Sequence, residues 1–351
     1  MSLNNHELID KLEATHSLDE SEYFQLLSDD LPSEEAEYLR QRARDVTDKI
    51  FGRDVRIRGL IEVTNVCRND CYYCGLRHSN KRLKRYTLSK EQILDCCRSG
   101  HEIGFRTFVL QGGENPALSV DKVEEIVKLI HSEFPDSAIT LSLGEWSDEA
   151  YVKFKEAGAT RYLLRQESIT SEHYSKLHPD FMSLENRIRC LKTLKRLGYQ
   201  TGTGIMVGAP FQTVNDIIRD LIFMTELQPE MIGIGPFLPH SDTPFGKHAP
   251  GGLKLTLKLI SILRLMFQHA NIPSTTALAS LDTNGRISGL QAGANVVMPN
   301  LTLGAYRKQY SLYNNKAAFG LESAEGIGLL RQELAKADLY ITTEKGDFSN
   351  V

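Results

Sequence analysis

The stretch VRIRGLIEVTNVCRNDCYYC, residues 55–74, decides how the rest of the chain is read. Its first ten positions are mostly apolar or β-branched, the composition of a strand buried on both faces. Cys67, Cys71 and Cys74 follow in the spacing C-x3-C-x2-C, three of the chain's six cysteines within eight residues. No other cysteine occurs before Cys96. A strand therefore delivers three thiols to one place. The question is what chemistry needs three rather than two or four.

The same rhythm recurs downstream. Short apolar runs stand at TFVLQ (107–111), AITLSL (138–143), RYLLR (161–165) and TGIMVG (203–208). They continue at MIGIGP (231–236), STTAL (274–278) and ANVVMP (294–299). Between them lie amphipathic stretches such as SKEQILDCCRSGHEIG and SLENRIRCLKTLKRLG. Gly104, Gly158 and Gly198 each close such a stretch just before the next run, the chemistry of a helix C-terminus. Eight strands alternating with helices predict a parallel sheet, and eight is the number that closes a (β/α)8 TIM-type barrel.

Residues 5–50 carry Leu8, Leu12, Leu26, Leu27, Leu39 and Val46 at helical intervals among many charges, with Ser17 and Ser33 as candidate N-caps. The expected organisation is an N-terminal helical cap over 1–50, a barrel over 51–315 and a C-terminal extension over 316–351 packed on it. In a chain of 351 residues a net charge of −4 argues against nucleic acid or an anionic membrane as partner. The first twenty residues lack the basic and apolar regions of a signal peptide, and LKLTLKLISILRLMF (253–267) is too short and charged to span a bilayer. Clustered and scattered cysteines suit a reducing compartment, so the expectation is a cytoplasmic protein.

In a parallel barrel the site forms beyond the C-terminal ends of the strands. There the chain places the three cysteines, then QGGENP after strand 2, SLGEW after strand 3, RQES after strand 4, GAP after strand 5 and GPFLPH after strand 6. Structural zinc wants four ligands in a closed tetrahedron, for which His78 is a local fourth candidate but no partner cluster exists. An iron–sulfur cube held by three thiolates instead keeps one iron open for a ligand, which suits a reactive rim.

Cys67-x3-Cys71-x-Tyr73-Cys74 resembles the cluster loop of the radical S-adenosylmethionine (SAM) superfamily, down to the aromatic residue before the last cysteine. GGE at 112–114 resembles that superfamily's second motif. LSLGEW, GATRYLLR, MVGAPFQT, GIGPFLPHSDTP and GANVVMPN extend the resemblance to the iron-iron hydrogenase maturases, over roughly residues 50–315, with biotin synthase and methylornithine synthase as related barrels. The resemblance implies a [4Fe-4S] cluster on Cys67, Cys71 and Cys74 whose open iron is chelated by SAM. Reduction of that cluster then cleaves SAM to a 5′-deoxyadenosyl radical.

By the same resemblance Tyr73, Gly112, Gly113, Glu114, Ser142, Glu167, Arg187 and Met206 surround the cofactor. Thr140, Arg161, Thr275, Thr276, Met298, Tyr310 and Tyr313 line a substrate cavity inside the barrel. The implied substrate is a small cysteine-bound iron carbonyl–cyanide complex made by a partner maturase, and the implied reductant is a ferredoxin or flavodoxin. Two departures stand out. No cysteine follows Cys190, which excludes a second cluster on local C-terminal ligands, and Gln166 occupies a position where the maturases usually carry His.

Blander roles compete at each position. Gly112 and Gly113 make a tight turn, Glu114 caps a helix, and Glu167 with Arg187 forms a rim ion pair. Arg161 and Arg165 alternate on one short strand, so both face one side with Leu163 and call for anionic partners inside the barrel. Cys96, Cys97 and Cys190 read as core thiols. Two other functions stay open: a related radical enzyme acting on a small organic amino acid, and a non-catalytic metal-binding or redox-sensing protein.

Overall fold

The structure, a computed structural model, describes residues 3–28, 31–317 and 320–348. The strands are β1 (Asp54–Ile57), β2 (Gly59–Thr64), β3 (Thr107–Gly112), β4 (Ala138–Ser142), β5 (Ala159–Leu163) and β6 (Gln200–Thr203). They continue as β7 (Met206–Val207), β8 (Met231–Ile232), β9 (Gly235–Pro236), β10 (Val296–Val297) and β11 (Tyr340–Thr342). Six pair in parallel in the order β2-β3-β4-β5-β6-β8. Isolated parallel bridges close the ring: Met231 to Asn271, Pro273 to Val296, and Leu60 to Asn300. The result is the expected (β/α)8 barrel, with its seventh position reduced to a few residues.

That reduction corrects one expectation. STTAL is not a strand, because Pro273 can offer the ladder no N–H and the chain turns at Thr275 into a short helix. Three other expected strands are broken in two. Arg58 separates β1 from β2, Gly204 (φ +153°) and Ile205 separate β6 from β7, and Gly233 with Ile234 separates β8 from β9. Above the second and third breaks, β7 pairs with β9 in a short ladder of its own.

Before the barrel come α1 (Asn5–Thr15), α2 (Glu20–Leu27) and α3 (Ser33–Phe51). Around it run α4 (Lys90–Glu102), α5 (Val120–Glu133), α6 (Asp148–Glu156), α7 (Ser171–Leu177), α8 (Leu184–Arg196) and α9 (Val214–Leu227). Then follow α10 (Leu253–Met266), α11 (Thr276–Leu281), α12 (Gly285–Gln291), α13 (Gly304–Arg307) and α14 (Ile327–Ala335). α1 and α3 pack on α10, and α2 packs on α9. The caps differ from those expected: Asp19 forms a reciprocal capping box with Glu22 at α2, and Pro32 precedes Ser33 at α3. The apolar stripes of the barrel helices bury Ile93, Val127, Phe154 and Leu191 against the sheet, and Cys96, Cys97 and Cys190 lie in that core.

The C-terminal segment forms the floor. β11 pairs in parallel with β1, matching Asp54 to Tyr340, so β1 sits between β10 and β11. Past β11, the Lys345 carbonyl accepts hydrogen bonds from Thr107 Oγ1 and Arg161 Nη2, each at 2.9 Å, from below the sheet. No helix of the described residues is long and apolar enough to cross a membrane.

Candidate active site

β2 ends at Thr64 and releases the chain into the cysteine loop, which is tied down from several directions. The Thr64 carbonyl accepts the Gly113 N–H at 3.1 Å, and the Glu114 carbonyl accepts the Arg68 N–H at 2.9 Å. The glycine motif after β3 is thereby fastened to the first cysteine. Asp70 receives Arg77 in a two-pronged pair and the Ser79 N–H and hydroxyl, and these contacts hold its carboxyl well below the usual range. Asn80 Nδ2 donates to the Gly75 carbonyl at 2.8 Å.

Gly113 is where sequence and geometry meet most tightly. A Cβ there would stand 2.4 Å from the Val66 carbonyl oxygen and 2.7 Å from Cys67 Cβ. Gly144 plays the matching role one strand on: with φ +80° and Glu114 Cγ 2.1 Å from its imaginary Cβ, it admits the Glu114 side chain. Glu114 accepts from the Glu145 N–H at 3.2 Å and pairs with Arg68 at 2.9 Å.

The three thiols lie on the cysteine loop, all partly buried. Burial pushes Cys74 up to about 12, and burial with the neighbouring cysteines pushes Cys71 well above an ordinary thiol; Cys67 is raised too, chiefly by burial. Cys71 and Cys74 each feel the charge of Cys67, so the three form one electrostatic group. Three interacting thiols on one loop, with a fourth corner left free, fit a cube that spreads its thiolates over separate irons.

Tyr73 is anchored beside them. His178 Nδ1 lies 3.0 Å from the Tyr174 carbonyl and so carries the proton, which leaves Nε2 to accept from the Tyr73 hydroxyl at 3.2 Å. Burial, with the Arg187 charge, depresses His178 to about 3.

Glu167 and Arg187 do not pair with each other. Arg165 contacts Glu167 at 3.0 Å and Arg187 contacts Glu145 at 2.7 Å. Neither ion pair is aligned as a hydrogen bond: Arg165 Nε and Nη2, Glu167 Oε2, Arg187 Nε and Glu145 Oε1 are all buried without a hydrogen-bond partner. Charges in contact with unused donors and acceptors are what a zwitterionic ligand such as SAM can satisfy. Glu167 is also held at φ +62°, its N–H donating to the Gly204 carbonyl at 3.1 Å. Gln166 secures that turn from within. It accepts from the Thr203 hydroxyl and the Gly204 N–H, and its Nε2 donates to fully buried Asp220 at 3.3 Å.

A cavity of about 290 Å3 opens inside the rim, with Cys74 and Tyr73 in its wall. Thr275, Thr276, Met298 and Tyr313 line it, and so do Glu167 and Met206 of the set assigned to the cofactor. Tyr310 sits behind the wall, its hydroxyl accepting from Gln111 at 3.3 Å. Cys67, Cys71, Gly112, Gly113, Glu114, Ser142 and Arg187 are not in its wall. A more voluminous groove, about 470 Å3, lies away from the cysteines between Gln228 and Phe267; it is open to solvent.

Two expected cavity residues fall elsewhere. Arg161 is fully buried in the floor, donating to Thr107 at 3.1 Å, to the Lys345 carbonyl, and to Asp347 at 2.7 Å. β5 ends at Leu163, so strand alternation no longer relates Arg161 to Arg165, and only Arg165 reaches the cavity. Thr140 is buried with its hydroxyl unpartnered, outside the cavity wall. Gln111 and Lys316, which the sequence pattern does not single out, also line the cavity. Lys316 pairs with Glu62, which is fully buried on β2, and lies 5.2 Å from the Tyr310 ring centre. A buried acidic position inside a strand, as at Glu62, was the available signal.

A (β/α)8 barrel with three thiols beyond its first strand and misaligned charges around them defines a cluster enzyme of the radical type. Residues 61–224 match the family model for the radical SAM superfamily. The chain belongs to that superfamily and is a radical SAM enzyme, using a [4Fe-4S] cluster and SAM. Within it the chain is 48% identical over 280 residues, 80% of each chain, to the [FeFe] hydrogenase maturase subunit HydE of Thermotoga maritima. It is 32% identical over 285 residues, 79% of this chain and 80% of the relative, to 3-methylornithine synthase of Methanosarcina acetivorans. The crystal structure of methylornithine synthase (PylB) superimposes with a TM-score of 0.81 at 27% identity, covering 95% of this chain and 97% of that one.

Proposed function

We propose that this enzyme is a hydrogenase maturase of the HydE type, acting on a small cysteine-bound iron carbonyl–cyanide complex supplied by a partner maturase. The observation that carries the reading is the 48% identity to HydE over 80% of both chains. Once reduced, the cluster supplies reductive cleavage of SAM to methionine and a 5′-deoxyadenosyl radical.

The chain's own residues prepare for that chemistry. Cys67, Cys71 and Cys74 would hold the cluster and leave it open to SAM. Their raised proton affinity means that loading the cluster releases protons. Glu145, Arg187, Arg165 and Glu167 offer SAM's ammonium, carboxylate and ribose hydroxyls the unused donors and acceptors described above. Leu60, Met206 and Met298 give the cavity apolar walls that exclude water. Thr275, Thr276 and Tyr313 face the substrate, with Lys316 and Arg165 toward its anionic groups. Lys81, Arg82 and Lys84 are exposed on the cysteine loop and suit an acidic donor such as a ferredoxin or flavodoxin. Cytoplasmic placement accords with these thiols and cofactors.

The test is anaerobic. Protein reconstituted with iron and sulfide, then reduced and given SAM, should yield 5′-deoxyadenosine, and Cys71→Ala should yield none. Restoration of hydrogenase activity in a maturase-depleted lysate then supports the HydE reading. Consumption of a free amino acid without such restoration replaces it with the methylornithine synthase type.

A further inference from the structure

Arg85 lies eleven residues past the last cysteine, in the run KRLKRY, which reads as an ordinary solvated basic stretch. In the fold its guanidinium is half-buried and turns inward. Nη1 donates to the Asn65 carbonyl at 2.5 Å and the Leu76 carbonyl at 2.8 Å. Nη2 donates to the Arg77 carbonyl at 2.6 Å and the Asn80 carbonyl at 3.1 Å. Asn65 precedes Cys67 and the other three follow Cys74, so one planar cation closes both ends of the loop that carries all three thiols. Asn65 reinforces the closure: its Nδ2 donates to the Lys84 carbonyl and its Oδ1 accepts the Tyr86 N–H.

The charge of Arg85 is the second observation. Arg68, Arg77 and Arg82, on the same loop, are paired with Glu114, Asp70 and Asp242. Among the described residues no carboxylate lies within ion-pair distance of Arg85; its acceptors are neutral carbonyls. The guanidinium cannot shed its proton, so a full positive charge is fixed against the carbonyls that bracket the three thiols.

We propose that Arg85 is a positioning residue that fixes the cysteine loop in its ligand geometry and supplies the un-neutralised positive charge that raises the cluster's reduction potential. The reasoning rests on the enzyme's cluster, not on the HydE substrate. A cube with a 2+ core and three thiolates has a net charge of −1, and one-electron reduction takes it to −2. A fixed cation nearby favours the more negative state, and net charge around a cluster is one of the quantities that set its potential. Such a cation makes an obligatory reduction easier for whatever donor delivers the electron.

Arg85→Lys, Arg85→Gln and Arg85→Met separate the two roles. Lys keeps the charge but lacks the fork that reaches four carbonyls; Gln keeps some hydrogen bonding without charge; Met keeps neither. Each is reconstituted anaerobically, and iron per chain and midpoint potential, by EPR-monitored redox titration, are read against wild type and Lys254→Gln, an exposed lysine on α10. The expected result is a more negative potential in Gln and Met, a wild-type potential in Lys and Lys254→Gln, and weaker iron retention in all three Arg85 variants. A wild-type potential in Gln or Met overturns the electrostatic role, and undiminished iron retention in Lys overturns the clamp. If Gln and Met hold no iron, hydrogen exchange on the metal-free chains decides. Lost protection confined to residues 65–86 supports the proposal, and unfolding of the whole barrel overturns it by making Arg85 a general stabiliser.

Discussion

Gly113→Ala is a perturbation whose consequence can be worked from distances. Gly113 does not have a positive φ, so alanine costs nothing in backbone conformation and the effect is steric. Its Cβ would meet the Val66 oxygen at 2.4 Å and Cys67 Cβ at 2.7 Å, where ordinary contact begins near 3.4 Å. Relief requires Cys67 to retreat by about 0.7 Å and the Val66 peptide by about 1 Å. Overpacking of this kind costs about 1–3 kcal/mol, which for a chain of this size is a Tm lower by about 1–4 °C. The effect on the cluster is larger, because a sub-ångström shift of one ligand disturbs all three, and losing support around a metal ligand typically costs about 10–100-fold in affinity. Iron and sulfide per chain, measured after reconstitution and challenge with a chelator, should fall much further than Tm suggests. Gly112→Ala should be milder, since its nearest neighbour is the Thr64 methyl at 2.9 Å. Gly328→Ala on α14 meets nothing within 4 Å and should stabilise by about 0.5–1 kcal/mol. A Gly113→Ala protein with wild-type iron retention and Tm would refute the close approach of the two loops.

Three further outcomes follow from buried groups. His178 is depressed to about 3 from 6.5, so the unfolded chain binds the extra proton and stability falls as pH drops below about 6.5, by about 2 kcal/mol at pH 5; His178→Gln should flatten that part of a denaturant-midpoint profile. At Asp347 burial raises the carboxyl but the Arg161 hydrogen bond and charge outweigh it, leaving a lowered value, so its contribution is present at neutral pH and lost as pH falls through that value. Asp347→Asn should cost about 1–2 kcal/mol in urea unfolding at pH 7, less than a fully buried pair because Asp347 remains 47% exposed, and should leave iron content unchanged. Gln166→Leu strands the Gly204 N–H and removes one donor from buried Asp220, which keeps the Ile169 N–H, and should destabilise by roughly 1–3 kcal/mol, whereas Gln166→His should keep both stability and substrate choice, as kinetics with the wild-type substrate would reveal.

The parts of this molecule carried by local pattern were legible in its sequence. Strand spacing predicts the barrel, and C-x3-C-x2-C with GGE predicts two loops that the structure fastens together through Gly113 and Arg68. What escaped depends on partners far along the chain. The family resemblance puts Arg161 in the cavity; its actual partner, Asp347, lies 186 residues away and shows no local sign. Arg85 looks like any member of a basic run until four carbonyls are seen around it. STTAL has a strand's composition, and only the preceding proline and the Thr275 turn divert it. Gln166 departs from the His usual in the maturases, and no local pattern shows that its amide is fully buried against Asp220.

The floor strand has a consequence for biosynthesis. β1 takes β11 as a neighbour, joining residue 54 to residue 340, while the cysteine loop begins ten residues after β1 starts. On the ribosome the thiols emerge early, but the barrel beneath them has no floor until β11 has been made. Pairings of such long sequence separation form late. For most of translation the cysteines therefore belong to an open-bottomed sheet. Delivery of iron and sulfide to the finished chain, rather than the nascent one, is the order that this topology favours.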